Sequence, residues 1–188
     1  MKVIILAAGM GSRMGDLTKD EPKCFLNVYG KTLIERLINQ LRNLGLKDIS
    51  IVTGYKAKKF KFNDINFFYN KEFKTSNMVY SLMKAKKKLN DETLIIYSDI
   101  IVSNKILKKM ISKRYNNKLS VAVDTNWKKY WAFRFKNINQ DLESLQINNK
   151  KEITELGKEL RNIKDIDGRF IGIIRFPKSI NKSFLKIW

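Results

Sequence analysis

Near its start the chain reads Leu6-Ala7-Ala8-Gly9-Met10-Gly11-Ser12-Arg13, and Lys23 follows ten residues later behind Pro22. The apolar run before it, Val3 to Leu6, reads as a buried strand. Gly9 and Gly11 allow a tight turn and a close approach of backbone to a ligand. Their N–H groups, with Ser12, suit phosphate oxygens. Arg13 and Lys23 add two fixed cations. Such a loop is suited to a nucleoside triphosphate. The blander reading is a glycine-rich strand-to-helix turn with solvated basic residues. The ordered set of Gly, Ser, Arg, Pro and Lys argues against it.

Two better-known phosphate loops are excluded. The dinucleotide fingerprint G-x-G-x-x-G requires a third glycine where Met14 stands. The Walker pattern is mimicked by Gly30-Lys31-Thr32, but its first glycine would fall on Phe25.

One carboxylate stands out. The run Leu94-Ile95-Ile96-Tyr97-Ser98-Asp99 reads as a central strand ending in Asp99. Open α/β sheets bind ligands at the carboxyl ends of their strands, so Asp99 and the glycine loop face one crevice. A lone Asp at a strand end is often a turn former. Beside a triphosphate loop it reads as a Mg²⁺ ligand, since Mg²⁺ takes one or two carboxylates plus substrate phosphates. The chain has no histidine, so a Ser or Cys nucleophile lacks its usual base. Phosphoryl-type transfer needs none, being mostly positioning and charge stabilisation.

The elements that must position these residues alternate strand and helix. Thr32 and Glu35 form a capping box opening a helix. Its stripe is Ile34, Leu37, Ile38, Leu41 and Leu44, and Gly45 is its stop. Strands are expected at Ile49–Thr53, Phe67–Tyr69, Thr93–Ser98 and Leu119–Val123. Ser76 to Leu89 reads as a helix with Val79, Leu82 and Met83 inward, and Asn104 caps another carrying Ile106, Leu107, Met110 and Ile111. This rhythm predicts an α/β fold, a Rossmann-like, mostly parallel sheet with helices on both faces. Beyond residue 124, Leu142–Ile147 and Glu152–Leu156 read as a hairpin, Phe170–Phe176 as a strand and Ser179–Trp188 as the start of a helix.

The 188 residues imply one domain, with 1–124 as its nucleotide-binding part and 125–188 as a further part. No apolar run approaches a membrane span. A strand within two residues of the start leaves no room for a signal peptide. The single Cys24 rules out an intrachain disulfide and fits a reducing cytoplasm. The net charge of +20 suits anionic substrates. The lysines are scattered, which argues against a specific nucleic-acid footprint. The densest stretch, Lys56 to Phe62, reads as a solvated loop and edge strand.

The ordered set Leu6-Ala7-Ala8-Gly9-x-Gly11-Ser12-Arg13, Thr18, Pro22-Lys23, Gly30-x-x-Leu33-Ile34 and Gly54-Tyr55 resembles the signature of the sugar-phosphate-type nucleotidyltransferases. Asn77-x-x-Tyr80-Ser81-Leu82 and Ser98-Asp99-Ile100 are most similar to the phosphocholine and phosphonate cytidylyltransferase branch. So are Asp124-x-x-Trp127, Trp131-x-x-Arg134, Asp141-x-Glu143, Glu155-Leu156-Gly157-Lys158 and Gly168-x-Phe170-Ile171-Gly172. The resemblance implies that backbone groups from Leu6 to Gly9 hold base and ribose. Gly11, Ser12, Arg13 and Lys23 would bind triphosphate, Asn77 and Ser81 would lie near the base, and Asp99 would bind Mg²⁺. Trp127, Trp131 and Arg134 would shape the acceptor pocket; ordinary packing is the competing role for both tryptophans. Members of this branch usually continue further, with a second acidic metal ligand there. The chain stops at Trp188, so either another acid, with Asp167 the candidate, substitutes, or the chain is a truncated form.

The reading that results is a Mg²⁺-dependent cytidylyltransferase. It transfers CMP from CTP to a phosphate- or phosphonate-bearing acceptor, either phosphocholine-like or aminoethylphosphonate-like, and releases pyrophosphate. The partners expected are CTP and that small acceptor, with a homodimer as the assembly open to it. The alternatives are a sugar-1-phosphate nucleotidyltransferase using UTP, dTTP or GTP, a truncated nucleotide-binding module without activity, and a nucleic-acid binder.

Overall fold

The apolar run Lys2–Ala7 forms β1, with Val3, Ile4 and Ile5 fully buried. A strand covered on both faces reads as continuous hydrophobicity. The computed structural model describes residues 1–113, 117–135, 142–158 and 166–187. After β1 come a two-residue hairpin, β2 (Asn27–Val28) with β3 (Lys31–Thr32), then α1 (Leu33–Asn43) and β4 (Ile49–Thr53). Next are β5 (Ile65–Tyr69), α2 (Met78–Lys84), β6 (Thr93–Tyr97), α3 (Asn104–Ile111) and β7 (Ser120–Asp124). The remainder holds α4 (Trp127–Arg134), β8 (Leu145–Ile147), β9 (Ile153–Leu156), β10 (Arg169–Phe176) and α5 (Lys178–Ile187). Among the described residues, one six-stranded sheet has the order β5-β4-β1-β6-β10-β7. The pairs β1–β4, β1–β6 and β4–β5 are parallel, and β10 runs antiparallel to β6.

The chain forms two compact units, Met1–Val121 with Gly172–Trp188, and Ala122–Ile171. In the first, strand alternation turns Ile4, Val52, Phe68 and Ile95 to one face. There they pack with Leu82, Ala85 and Leu89 of the α2 region and with Phe176, Ile180 and Phe184. The same alternation turns Val3, Ile5, Ile51 and Ile96 the other way, and the buried stripes of α1 and α3 add their apolar surface. α1 opens with the expected capping box between Thr32 and Glu35, and Gly45, at φ 81°, stops it.

Arg175 of β10 is wholly buried. Its Nε donates to Glu92 Oε1 at 2.9 Å and its Nη2 bonds the same oxygen. Its Nη1 donates to the carbonyls of Met110, at 3.0 Å, and Ser112. One guanidinium thus ties β10 to the approach to β6 and the end of α3. Asn181 of α5 adds a bond from Nδ2 to the Asp91 carbonyl, 2.6 Å.

In the second unit β8 and β9 pair antiparallel, as the hairpin signal predicted. Trp127 is buried and meets Trp131 edge-on, ring centres 6.1 Å apart.

Several local expectations need correction. The helix expected over Ser76–Leu89 runs only Met78–Lys84, because Asn77 is its cap. Lys86–Lys88 then tightens into a 3₁₀ turn, a common end for a helix. Val79 is exposed, and Ser81 is buried beside Leu82 and Met83 instead. Ser81 accepts this place because its hydroxyl bonds Asn70 and the Asn77 carbonyl. α3 is capped by Ser103, whose Oγ takes the Ile106 N–H, while Asn104 Oδ1 accepts from Gln40. The Lys56–Phe62 stretch is neither free loop nor edge strand. It forms a 3₁₀ turn at Ala57–Lys59, with Lys59 bonded to Glu21 at 2.9 Å and Phe60 packed on Phe25.

Replacing Arg175 by Met leaves Glu92 and two carbonyls without their buried donor. Breaking such a pair from one side costs about 3 kcal/mol. Urea denaturation of Arg175→Met should show that loss. A decrease below about 1 kcal/mol would mean the pair behaves like a surface one.

Candidate nucleotide site

Gly11 adopts φ 68°, and a Cβ there would lie 3.0 Å from Lys23 Cβ and 3.2 Å from Thr18 Cγ2. The position therefore needs glycine for backbone conformation and for space. Ser12 and Arg13 are exposed and open the 3₁₀ segment Ser12–Thr18. Thr18 is buried; its hydroxyl donates to the carbonyls of Gly11, 2.9 Å, and Gly15, 3.3 Å. This bond clamps the loop at its turning point. Gly9 is exposed, and a Cβ on it would meet nothing within 4 Å, so the loop is open on that side.

Pro22 precedes the 3₁₀ turn Lys23–Phe25 and its carbonyl accepts the Phe25 N–H at 2.8 Å. The segment is braced from outside. Tyr55 donates its hydroxyl to the Lys19 carbonyl, Lys59 holds Glu21, and Phe25 meets Phe60 edge-on at 4.9 Å.

The braced Lys23 reaches Asp99 across the turn after β6, Nζ to Oδ2 2.7 Å, with side chains 36% and 31% exposed. β6 itself ends at Tyr97, so Asp99 sits in the turn and not in the strand. An ion pair this exposed contributes about 1 kcal/mol or less. An anion can therefore take Lys23, and a cation Asp99, at small cost. Beneath them lies Cys24, only 2% exposed. Burial pushes its thiol up to about 12, with the Asp99 charge adding and a Ser98 hydrogen bond opposing.

Of the two residues expected near a base, Asn77 ends the β5–α2 connection as the cap of α2, and Ser81 lies within α2. Asn77 Oδ1 accepts the Tyr80 N–H at 2.9 Å, and Ser81 is buried. Both hold the loop's shape. The connection is pressed on the glycine loop. A Cβ on Gly54 would lie 2.6 Å from Phe73 Cβ and 2.7 Å from the Ala8 carbonyl oxygen.

In the second unit two cations approach the Trp131 ring: the Arg134 guanidinium is 5.3 Å from its centre and that of Arg169 is 4.5 Å. Trp127 is interior packing under this stack. Asp167, offered as a second metal ligand, accepts the Ile147 N–H at 2.7 Å. Asp141 lies outside the described residues, and the strand expected over Leu142–Ile147 runs only Leu145–Ile147.

Among the described residues no three His, Cys, Asp or Glu side chains cluster as a metal cage. Asp99 alone offers Mg²⁺ one carboxylate. That donor set fits a Mg²⁺ completed by phosphate oxygens and water. Sequence reasoning missed Thr18 as the clamp, the Gly54–Phe73 contact and Arg169. Thr18 lies within the motif, but only its burial reveals the role.

Three comparisons bear on this arrangement. Residues 3–159 match the family described as the MobA-like NTP transferase domain. The CTP:phosphoglutamine cytidylyltransferase of Campylobacter jejuni is 34% identical over 94% of this chain and 73% of that protein. The choline-phosphate cytidylyltransferase of Haemophilus influenzae is 32% identical over 68% of this chain, which spans 56% of its length. In fold, the chain is similar to the CTP:phosphocholine cytidylyltransferase structure from Streptococcus pneumoniae: TM-score 0.69 and 21% identity, covering 98% of this chain and 74% of that one. No helix among the described residues is long and apolar enough to cross a membrane.

The buried thiol gives a pH signature. Cys24 is protonated in the fold up to about pH 12, against 9.0 when unconstrained. Its contribution is complete below pH 9 and is lost as pH rises toward 12. Wild type should lose stability relative to Cys24→Ala across that window, and a thiol reagent at pH 8 should label only unfolded protein. Rapid labelling of native protein would contradict the burial.

Proposed function

The chain belongs to the MobA-like NTP transferase family, and we propose that it is a cytidylyltransferase that moves CMP from CTP to a small acceptor bearing a phosphate or phosphonate. The observation carrying this reading is the Lys23–Asp99 pair at 2.7 Å beside the Gly11 turn. A cation suited to phosphate oxygens and a carboxylate suited to a metal thus stand side by side, which supports the reading. Two relatives above 30% identity whose names specify CTP chemistry support the choice of nucleotide.

In the proposed reaction an ionised acceptor oxygen forms a bond to the α-phosphorus of CTP. The bond from that phosphorus to the β-phosphate oxygen breaks, and pyrophosphate leaves with its electron pair. No side chain need serve as nucleophile. Backbone groups from Leu6 to Gly9 support base and ribose, and Gly11 and Ser12 hold the phosphates. Lys23 and Arg13 offset charge as it gathers on the α-phosphate and the leaving group. Asp99 would hold Mg²⁺, which when bound supplies further charge neutralisation. Trp131 and Arg134, with Trp127 packed behind them, are assigned to the acceptor. With one buried cysteine, a reducing cytoplasm is the proposed location.

Pyrophosphate release, measured with each nucleoside triphosphate against phosphocholine, aminoethylphosphonate and sugar 1-phosphates, tests the reading. CTP should be the productive donor. Exclusive use of UTP with a sugar 1-phosphate would overturn it. Lys23→Ala should reduce turnover on the order of 10²–10³, while the melting temperature without ligand changes little. Wild-type turnover in that variant would remove Lys23 from the mechanism.

A further inference from the structure

Across the carboxyl edge of the sheet the loops follow strand order. The β5 loop carries Glu72, the β4 loop Gly54, the β1 loop the glycine turn, and the β6 turn Asp99. A triphosphate on the glycine turn and Lys23 occupies the β1–β6 side. Its nucleoside can then extend toward β5, about 10 Å away as two strand spacings. A cleft of about 510 Å³ lies there, lined by Glu72, Thr75, Ser76, Asn77 and Tyr80. Phe73, adjoining Glu72, packs against Gly54 and Ala8, so this wall is tied to the glycine turn.

The polar groups of the cleft differ in what they have left to offer. Asn77 Oδ1 is taken by the Tyr80 N–H. Ser81 lies buried behind, bonded to Asn70 and the Asn77 carbonyl. Glu72 is held in place differently. Its N–H donates to Asn70 Oδ1 at 3.0 Å, and Lys84 reaches its Oε2 at 3.2 Å. Lys84 is itself fixed, donating to the Tyr80 hydroxyl at 3.0 Å with its ammonium 4.2 Å from the Tyr80 ring centre. Lys84 bonds Oε2, and the residue's own N–H and the Tyr80 side chain also bond the Glu72 carboxylate. With about four acceptor positions in all, the carboxylate keeps capacity for a donor in the cleft. The Lys84 hydrogen bond also holds the Glu72 carboxyl below the usual range, keeping it an ionised acceptor at neutral pH.

We infer that Glu72 is the base-selecting residue, accepting the exocyclic amine of cytosine in the cleft between the β5 loop and α2. A carboxylate is acceptor-only. It pairs with the amino group of cytosine and repels the carbonyl that uracil and thymine carry at the same ring position. Lys84 acts as a positioning residue, aiming Glu72 through Oε2 and Tyr80. This inference rests on the cytidylyltransferase reading and names the residue that sets its nucleotide preference.

Direct binding tests it without turnover. CTP and UTP affinities are measured by calorimetry, with Mg²⁺ present, on wild type, Glu72→Gln and Lys84→Met, each checked by its ligand-free melting temperature. Wild type should prefer CTP. Glu72→Gln, whose amide can also donate to a carbonyl, should shrink the CTP/UTP ratio on the order of 10- to 100-fold, partly by gaining UTP affinity. Lys84→Met should shrink it less, by releasing the aim of Glu72. A Glu72→Gln ratio equal to wild type, with CTP still bound, overturns the inference and leaves the proposed function standing. A wild type that binds UTP as well as CTP also overturns it. A wild type that binds no nucleoside triphosphate overturns both.

Discussion

Pairing on both edges of β1 is the constraint from which the candidate site follows. Val3 to Ala7 align with Ile49 to Thr53 on one side, and Lys2 to Leu6 with Thr93 to Tyr97 on the other. The ladders run on past the strands: Tyr55 N–H donates to the Ala8 carbonyl at 3.0 Å and Ser98 N–H to that of Leu6 at 3.1 Å. Three strands therefore end level, and their loops emerge side by side. A slip of one residue would turn each buried Ile and Val to the wrong face. Register is thus fixed by the core, and the loops inherit it.

On that frame, electrostatics adds little to stability and much to chemistry. The Lys23–Asp99 pair is a third exposed and weak as a structural bond. Its geometry comes from neighbours instead. Thr18 clamps Gly11, Pro22 and Phe25 hold the turn, and Phe60 and Lys59 brace it from the β4 side. A rigid arm thus carries a cation whose partner is easily exchanged. This is what a site for an anionic substrate and its counter-ion requires, since the arm need not reorganise when ligand replaces the protein partner.

Much of this was legible in the residues. The capping box at Thr32 and Glu35, the Gly45 stop, β4 and the β8–β9 hairpin stand where local pattern puts them. Each is set by neighbours in sequence. Gly11 and Lys23 were legible because a close approach and a fixed cation need those residue types. What was not legible depends on distant partners. Ser81 looks like a surface residue on a helix until Asn70 bonds it in the interior. The Lys56–Lys59 stretch looks solvated until Asp20 and Glu21 appear opposite, 3.8 and 2.9 Å away. Arg175 lies wholly buried because Glu92 and two carbonyls surround it. Pattern reading assigns charged residues to water; pairings across tens of residues override it.

The central claim is that Lys23 and Asp99, weakly paired in the free protein, exchange partners when nucleotide and Mg²⁺ arrive together. Isothermal titration of Mg²⁺ into the protein, with and without saturating CTP, tests it most directly. The account predicts weak binding of Mg²⁺ alone, because Asp99 offers a single carboxylate, and much tighter binding once CTP occupies Lys23 and contributes phosphate oxygens. Equal Mg²⁺ affinity in the two titrations, after correction for Mg²⁺ bound by free CTP, would contradict it.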